Sequence, residues 1–447
     1  MSSKILLIGA GLSTTHLIDY LATEGLVADW QITITDRDEE LAKSKAIYDN
    51  TTSRFMDTDN AETLNLLVAE HDIVISMLPA HLHIPVAVCC LKNKKNMVTA
   101  SYLSDDMKAM NDEVKEAGLI FLNEAGLDPG LDHLTAMKII DQIKSEGHTI
   151  REFESFTGGL VAPEDDDNPW HYKFTWNPRN VVLAGQGGAV KFLQEGQYKY
   201  IPYHKVFRRT EIIDIAGYGK FEGYANRDSL KYIETYDLQN IKTMFRGTLR
   251  RPGFCKAWNV FVSLGATDDS YTLENSEHMT YRDFINTFLA YHPTDSVEIK
   301  LKYYLDIDQD ETELWERLEW LDIFKPIKIG LKNATPAQIL QHILEPKWKI
   351  QEHEKDMIVM WHKFVYMVDN QRKELHGSIV VKGEDQKNTS MSKTVGLPLG
   401  IATKLILQNK IKTRGTVIPI LPEFYNPILE ELKTFGIEMV EKRVELV

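Results

Sequence analysis

Short apolar runs alternate with stretches of helical periodicity over the first 122 residues, and this alternation limits the possible folds more than any other feature. The apolar runs cover residues 5–8, 31–35, 73–78, 97–100 and 118–122. Such runs, bounded by turn residues, are typical of strands that are buried on both faces. Strands that alternate with helices form parallel sheets with right-handed crossovers. The pattern predicts an α/β Rossmann domain with a parallel sheet.

The pattern changes after about residue 149. Residues 150–156 alternate like a strand, and aromatic and glycine residues become frequent up to about Cys255, which favours an α+β domain with an antiparallel sheet. Residues 272–350 are mostly helical in pattern, and Thr335-Pro336 is typical of a helix start. A helix over 391–408, interrupted near Pro398, is also predicted.

The formal net charge of −14 disfavours non-specific nucleic-acid binding, which depends on basic residues that neutralise phosphates. The three cysteines, Cys89, Cys90 and Cys255, lack the spacing of a zinc site or a disulfide framework. No metal-ligand spacing appears, and no apolar stretch reaches the roughly 18 residues of a spanning helix. A cytoplasmic enzyme without metal is the simplest expectation.

A glycine turn, Gly9-Ala10-Gly11, joins the first strand to a helix, which is the context of a dinucleotide-binding fingerprint. Thr14 occupies the place of the third fingerprint glycine. Asp36 ends the second strand, where an acidic residue binds ribose hydroxyls and repels a 2′-phosphate. NAD is therefore favoured over NADP, although Arg37 could instead hold that phosphate. The alternative is that Asp36 does not bind the cofactor and instead caps the helix that follows.

The segment 124–133 (EAGLDPGLDH) follows a strand and crowds Asp128, Asp132 and His133 between turn residues. One interpretation is a polar turn in which Asp132 caps the next helix, 134–143. The other is a functional loop, favoured by its place after a dinucleotide-binding unit.

Two further segments, 76–79 (SMLP) and 99–102 (TASY), lie at the carboxyl ends of predicted strands, at the sheet edge where ligands of open parallel sheets bind. Ordinary turn polarity explains them equally well. Two basic stretches, 226–229 and 246–251, suit a substrate with several carboxylates, because arginine binds carboxylates in bidentate fashion. Surface ion pairing is the alternative for these arginines.

Together these segments resemble the saccharopine dehydrogenase family, specifically its glutamate-forming members. The resemblance spans essentially the whole chain and rests on ordered motifs: residues 98–102 (VTASY), 126–133 (GLDPGLDH), 158–164 (GGLVAPE), 168–169 (NP), 172–176 (YKFTW), 226–229 (NRDS) and 246–250 (RGTLR). The chain departs from the family pattern at two positions. Thr157 stands where relatives often have a cysteine, so an acid–base role of that thiol does not transfer to this chain. Val161 interrupts the Leu-Pro pair that relatives usually have before Ala-Pro-Glu.

The resemblance implies a Rossmann domain at 1–125 completed by about 391–447, an α+β substrate-binding domain at 126–270 and about 351–390, and a helical insertion at 271–350. It implies that saccharopine is interconverted with L-glutamate and 2-aminoadipate 6-semialdehyde by NAD or NADP. The expected partners are these small molecules, with no nucleic acid or membrane; a homodimer is left open.

The resemblance also implies site residues. Those expected to hold substrate are Ser101, Tyr102, Arg227, Thr248, Leu249 and Arg250. Those expected at the cofactor are Gly9, Ala10, Gly11, Leu12, Asp36, Arg37, Ser76, Met77, Leu78, Leu127, Asp128, Pro129 and Trp176.

Asp128 is the first candidate for the general base, with His133 and Lys173 as reserves. Two alternatives remain open: a related imine reductase such as a carboxynorspermidine dehydrogenase, and a nucleotide-binding regulatory protein without turnover. Arg227 and Arg250 argue against the first alternative, because acidic residues would be expected at these positions to bind a polyamine product.

Overall fold

The structure is a computed structural model that describes residues 2–186, 188–308 and 310–444. Its contacts divide the chain into two units: Met1–Thr149 with Ile379–Glu441, and Ile150–Ser378 with Lys442–Val447. The first unit thus extends past the boundary expected near residue 125, and residues 271–350 lie inside the second unit.

The strands of the described residues are β1 (Ser3–Ile8), β2 (Trp30–Asp36), β3 (Thr51–Phe55), β4 (Ile73–Ser76), β5 (Asn96–Thr99), β6 (Ile120–Leu122), β7 (Thr149–Val161), β8 (Val190–Gln194), β9 (Gln197–Ile201), β10 (Thr210–Ile215), β11 (Gly219–Ala225), β12 (Thr243–Arg250), β13 (Asp356–Val368), β14 (Gln371–Lys382), β15 (Gly415–Val417) and β16 (Val440–Val444).

The α-helices of the same residues are α1 (Thr15–Ala28), α2 (Glu39–Lys45), α3 (Ala61–Glu70), α4 (His83–Lys92), α5 (Asp105–Ala109), α6 (Asn111–Glu116), α7 (Leu131–Ser145), α8 (Pro178–Val182), α9 (Lys231–Thr235), α10 (Phe254–Leu264), α11 (Tyr281–Thr287), α12 (Val297–Leu305), α13 (Thr312–Trp320), α14 (Pro336–Trp348), α15 (Ser390–Leu407) and α16 (Pro422–Thr434). No helix in this part of the chain combines the length and the hydrophobicity needed to cross a bilayer.

The first unit contains a parallel sheet in the order β15-β6-β5-β4-β1-β2-β3, which confirms the predicted Rossmann arrangement. Ile5 to Ile8 of β1 are fully buried, as expected for a central strand. The strand order reverses between β1 and β4, and ligands of such sheets bind beyond the carboxyl ends of the strands at this point.

Helix α15 packs closely against α1. A Cβ added at Gly396 would lie 2.7 Å from the backbone N of Leu17, so only glycine allows this approach. The predicted interruption near Pro398 is wrong, because α15 continues through this residue. Burial of the helix offsets the backbone hydrogen bond that proline cannot donate.

The second unit contains a mixed sheet in the order β10-β11-β12-β7-β13-β14-β16, with β8 between β12 and β9. Strands β12 and β7 are parallel, whereas β10, β11 and β12 pair in antiparallel fashion. This sheet, with its surrounding helices, confirms the predicted α+β character. Thr335 and Gln338 form a capping box at the start of α14, as the Thr-Pro pair indicated.

Candidate active site

The glycine turn lies directly after β1 and is packed against the end of β4. Gly9 has a φ of 98°, and a Cβ there would lie 2.8 Å from the carbonyl oxygen of Met77. The position therefore requires glycine, and it brings the turn beside the segment that follows Ser76. Gly11 has open space where a Cβ would be, which leaves room for a ligand.

Asp36 reaches back from the end of β2 to this turn. Its carboxylate accepts hydrogen bonds from the N–H of Ala10 at 2.7 Å and of Asp38 at 2.9 Å. Asp36 is not the cap of α2, because Asp38 holds that position and accepts from the N–H of Leu41. Arg37 is exposed and pairs with Asp57 at 3.1 Å and with Asp59 at 3.6 Å.

Lys45 is a contact of the glycine turn that the sequence did not indicate. Its Nζ donates to the carbonyl oxygen of Gly11 at 2.8 Å and to the hydroxyls of Thr14 and Thr15 at 3.0 and 3.2 Å. Burial lowers the pKa of Lys45 to about 8. Lys45 reaches the turn from the end of α2 only in the folded chain, so no local sequence pattern indicates this contact.

The ends of β4 and β5 carry Ser76 and Ser101, and the structure brings their side chains together through a third residue. His83, the first residue of α4, lies 2.8 Å from Ser76 Oγ through Nδ1 and 2.7 Å from Ser101 Oγ through Nε2. Burial lowers the pKa of His83 to about 4. Sequence reasoning missed His83, although a histidine at a helix start beside a strand end was a usable signal.

The loop after β6 is tied to the end of β5. The hydroxyl of Tyr102 donates to Asp128 at 3.3 Å, and the N–H of Leu103 donates to Glu124 at 3.0 Å. Two predicted residues, one for substrate and one for catalysis, are thus brought together. Leu127 is buried, and the Asp128–Pro129 peptide bond is cis.

The two reserve bases are buried beside carboxylates. His133 Nε2 lies 2.7 Å from Glu124 and is fully buried, so it has no route to a ligand. In the second unit, Lys173 pairs with Glu354 and, at 2.8 Å, with Asp167. Burial alone would lower the pKa of Lys173, but these two carboxylates outweigh it and raise the pKa. Lys173, whose pKa is raised, is a poor base at neutral pH, and the enclosed His133 cannot reach a ligand.

Helix α7 begins at Leu131, three positions before the predicted start. Asp132 does not cap it from outside the helix. Its carboxylate lies within the first turn and accepts from the N–H of Gly130 at 2.6 Å. Asp132 is fully enclosed, so its part is to fix the end of the loop that carries Asp128.

The second unit holds the predicted substrate arginines on β12 and after β11. Arg250 is 5% exposed, and its guanidinium lies over the rings of Tyr172 and Phe254, at 4.9 and 5.3 Å from the centroids. One of its terminal nitrogens donates to the carbonyl of Leu249 at 2.8 Å, and its Nε has no hydrogen-bond partner among the described residues. Glu222, which acts on it electrostatically, instead accepts from the N–H of Cys255 at 2.5 Å.

The remaining predicted residues of this unit differ in exposure. Thr248 lies on the same face of β12 as Arg250, whereas the buried Leu249 points to the opposite face. Arg227 is exposed and has a φ of 50°. Trp176 is half-buried. Gly247 is required because the Phe156 ring lies 2.3 Å from where a Cβ would be.

These features define a protein with a dinucleotide-binding first unit and a second unit in which Arg250 is a buried cation with no carboxylate paired to it among the described residues. The chain belongs to the saccharopine dehydrogenase family. Residues 5–122 match the saccharopine dehydrogenase NADP binding domain, and residues 126–437 match the saccharopine dehydrogenase C-terminal domain. It is accordingly an oxidoreductase of the kind that uses a nicotinamide dinucleotide.

Named relatives agree with this assignment. The chain is 32% identical over 450 residues to the saccharopine dehydrogenase [NADP(+), L-glutamate-forming] of Saccharomyces cerevisiae, covering 99% of this chain and 100% of the relative. It is 34% identical to the mitochondrial alpha-aminoadipic semialdehyde synthase of Rattus norvegicus, but it spans only 47% of that protein's length. The apo structure of saccharopine dehydrogenase (L-Glu forming) from Saccharomyces cerevisiae matches with a TM-score of 0.88 at 31% identity, covering 99% of this chain and 100% of that one.

Proposed function

We propose that this chain interconverts saccharopine with L-glutamate and 2-aminoadipate 6-semialdehyde, using a nicotinamide dinucleotide. The observation that carries the substrate class is Arg250, a buried guanidinium with an unpartnered donor and no carboxylate paired with it among the described residues. A buried charge without a partner is costly, so it favours binding of an anion. Saccharopine carries three carboxylates, which makes it a fitting ligand.

The glycine turn and the strand ends of the first unit fit a dinucleotide, because the turn demands glycine at Gly9 and leaves Gly11 open. The cofactor would accept a hydride from the carbon beside the secondary amine. The protein must take the amine proton and then activate water that cleaves the imine into glutamate and the semialdehyde.

Asp128 is the proposed base for these proton transfers. It is only partly buried, it follows the carboxyl end of β6, and it accepts from the hydroxyl of Tyr102. The enclosure of His133 and the pairing of Lys173 with carboxylates support Asp128 over the two reserves. Tyr102 would hold the Asp128 carboxylate in place for the proton that it accepts.

We further propose that NAD is preferred to NADP. The support is the charge around the end of β2, where Asp36 faces the glycine turn and Arg37 is held by Asp57 and Asp59. A 2′-phosphate there would meet these carboxylates and would have to displace Arg37 from its pairs. The names of the matched domain and of the yeast relative favour NADP instead, and the assay compares the two cofactors directly.

The experiment is a steady-state assay at 340 nm with saccharopine and each cofactor, in which glutamate is identified as a product. Turnover with saccharopine is expected, and higher kcat/KM with NAD. Protein that binds a nicotinamide cofactor but shows no saccharopine-dependent turnover with either one would disprove the assignment and favour the regulatory alternative. Turnover of a carboxynorspermidine-type substrate instead would favour the other imine reductase.

The cytoplasmic location and the homodimer stay predictions. The domain limits near residues 125, 270, 350 and 391 are likewise proposed as functional divisions. Limited proteolysis with mass analysis of the fragments would test these limits.

A further inference from the structure

We propose that His83 is a positioning residue that turns the hydroxyl of Ser101 into a hydrogen-bond donor for the substrate. The inference rests on the proposed function, because it takes Ser101 to be a substrate contact. Its own basis is the chain of contacts Ser76–His83–Ser101 at the carboxyl ends of β4 and β5.

The direction of this hydrogen-bond chain follows from the surroundings of Ser76. Its side chain is fully buried, and His83 Nδ1 is the one partner that its Oγ has among the described residues. A buried hydroxyl hydrogen without an acceptor is costly, so Ser76 must donate to Nδ1.

The tautomer of His83 is then determined. With Nδ1 as acceptor, the neutral ring carries its hydrogen on Nε2 and donates it to Ser101 Oγ. The hydroxyl of Ser101 cannot donate back to this nitrogen, so its own hydrogen is directed elsewhere. Ser101 is only partly buried, and a substrate carboxylate is the acceptor that the proposed function supplies.

The neutral ring is maintained by its setting. His83 is the first residue of α4, and a cation is disfavoured at the N-terminal end of a helix. Burial lowers its pKa to about 4, with a further contribution from His81, so the ring stays neutral throughout the physiological range. A protonated ring would donate through both nitrogens and leave the Ser76 hydroxyl without its acceptor.

The test is a double-mutant cycle with saccharopine at saturating cofactor. His83→Asn keeps an amide near the Nδ1 position but cannot reach Ser101, whereas His83→Gln can place an amide donor near the Nε2 position. We expect the saccharopine KM to rise roughly ten- to a hundredfold in His83→Asn and in Ser101→Ala, and much less in His83→Gln. Adding His83→Asn to Ser101→Ala should change KM less than about threefold, because the histidine acts through that serine. Cofactor Kd should stay within about threefold throughout.

Additive effects of the two substitutions, or an equal loss of cofactor affinity, would overturn the proposal and show that His83 only anchors α4. If His83→Asn fails to fold, Ser76→Ala provides the same test, because Nδ1 loses its donor and the tautomer can reverse. An unchanged saccharopine KM in a folded Ser76→Ala would then reject the role. If the parent enzyme does not turn over saccharopine, the proposed function is wrong. If the parent turns over saccharopine normally but the two substitutions have additive effects on KM, only the role of His83 is wrong.

Discussion

Replacing Arg250 by Met tests whether a buried guanidinium holds a substrate carboxylate. Methionine keeps an unbranched apolar chain among the rings of Tyr172 and Phe254 but removes the charge and the donors. A hydrogen bond to a charged group contributes about 1.5–3 kcal/mol, so KM for saccharopine should rise roughly ten- to a hundredfold. Cofactor Kd should stay unchanged.

The stability of this variant separates binding from folding. The substitution removes cation–π contacts that contribute roughly 0.5–2 kcal/mol, but it also removes a desolvated charge that has no carboxylate partner in the described part of the chain. The two effects oppose each other, so the midpoint of urea unfolding should change little. Arg251→Met is the matched control, because Arg251 lies over the Phe221 ring and donates to the carbonyl of Tyr218. That control should keep the parent KM.

Glutamate analogues that lack one carboxylate sharpen the test in the reductive direction. The parent enzyme should bind an analogue that lacks the carboxylate held by Arg250 more weakly than it binds glutamate. The Arg250→Met variant should bind this analogue and glutamate equally well. Two results would show that Arg250 is structural and would refute the substrate argument. In the first, Arg250→Met binds saccharopine like the parent; in the second, its affinity falls by the same factor for every analogue.

Four further predictions follow from the first unit. Asp36→Ala should raise the ratio of kcat/KM for NADP to that for NAD, and an unchanged ratio would show that Asp36 only secures the turn through Ala10. Asp128→Asn should lower kcat roughly 10²- to 10⁴-fold with cofactor Kd near that of the parent, and near-normal kcat would exclude Asp128 as the base. Lys45→Met should raise cofactor Kd severalfold with kcat unchanged, because three hydrogen bonds to the turn and its helix are lost; equal Kd values would contradict this. The pKa of His83 is lowered to about 4 in the folded protein, so between about pH 4 and 6.5 the unfolded chain binds more protons at this residue. The free energy of unfolding therefore falls as the pH decreases through that range. His83→Gln should flatten this dependence in urea titrations, and an identical slope in the variant would refute the prediction.

The sequence predicted five of the seven strands of the parallel sheet, because each of these five is a local apolar signal, but it did not predict β3 and β15. Ile5–Ile8 and its counterparts are buried on both faces, so their apolar runs are continuous. The continuity of α15 through Pro398 could not be predicted, because it depends on packing of Gly396 and Gly400 against α1. Likewise, Lys45 contacts Gly11, which lies 34 positions away in the sequence, and no local pattern reports such a contact. The place of His83 at a helix start was a signal, but its contact with Ser101 depends on the folded sheet.

Charge compensation explains why the same sequence could not separate functional from structural ionisable residues. His133 and Lys173 looked like candidate bases, but each has a buried carboxylate beside it, Glu124 and Glu354 respectively. Arg250 is about as buried as these two residues, but no carboxylate among the described residues forms an ion pair with it, and Glu222 acts on it only electrostatically. Burial is therefore similar in the two groups, and the location of the counter-charge is what separates them. Removal of one partner of a buried pair leaves the other partner without its counter-charge and destabilises the fold, whereas Arg250 has no such partner among the described residues. Arg250 rather than His133 or Lys173 is therefore where substitution should alter substrate binding without disrupting the fold.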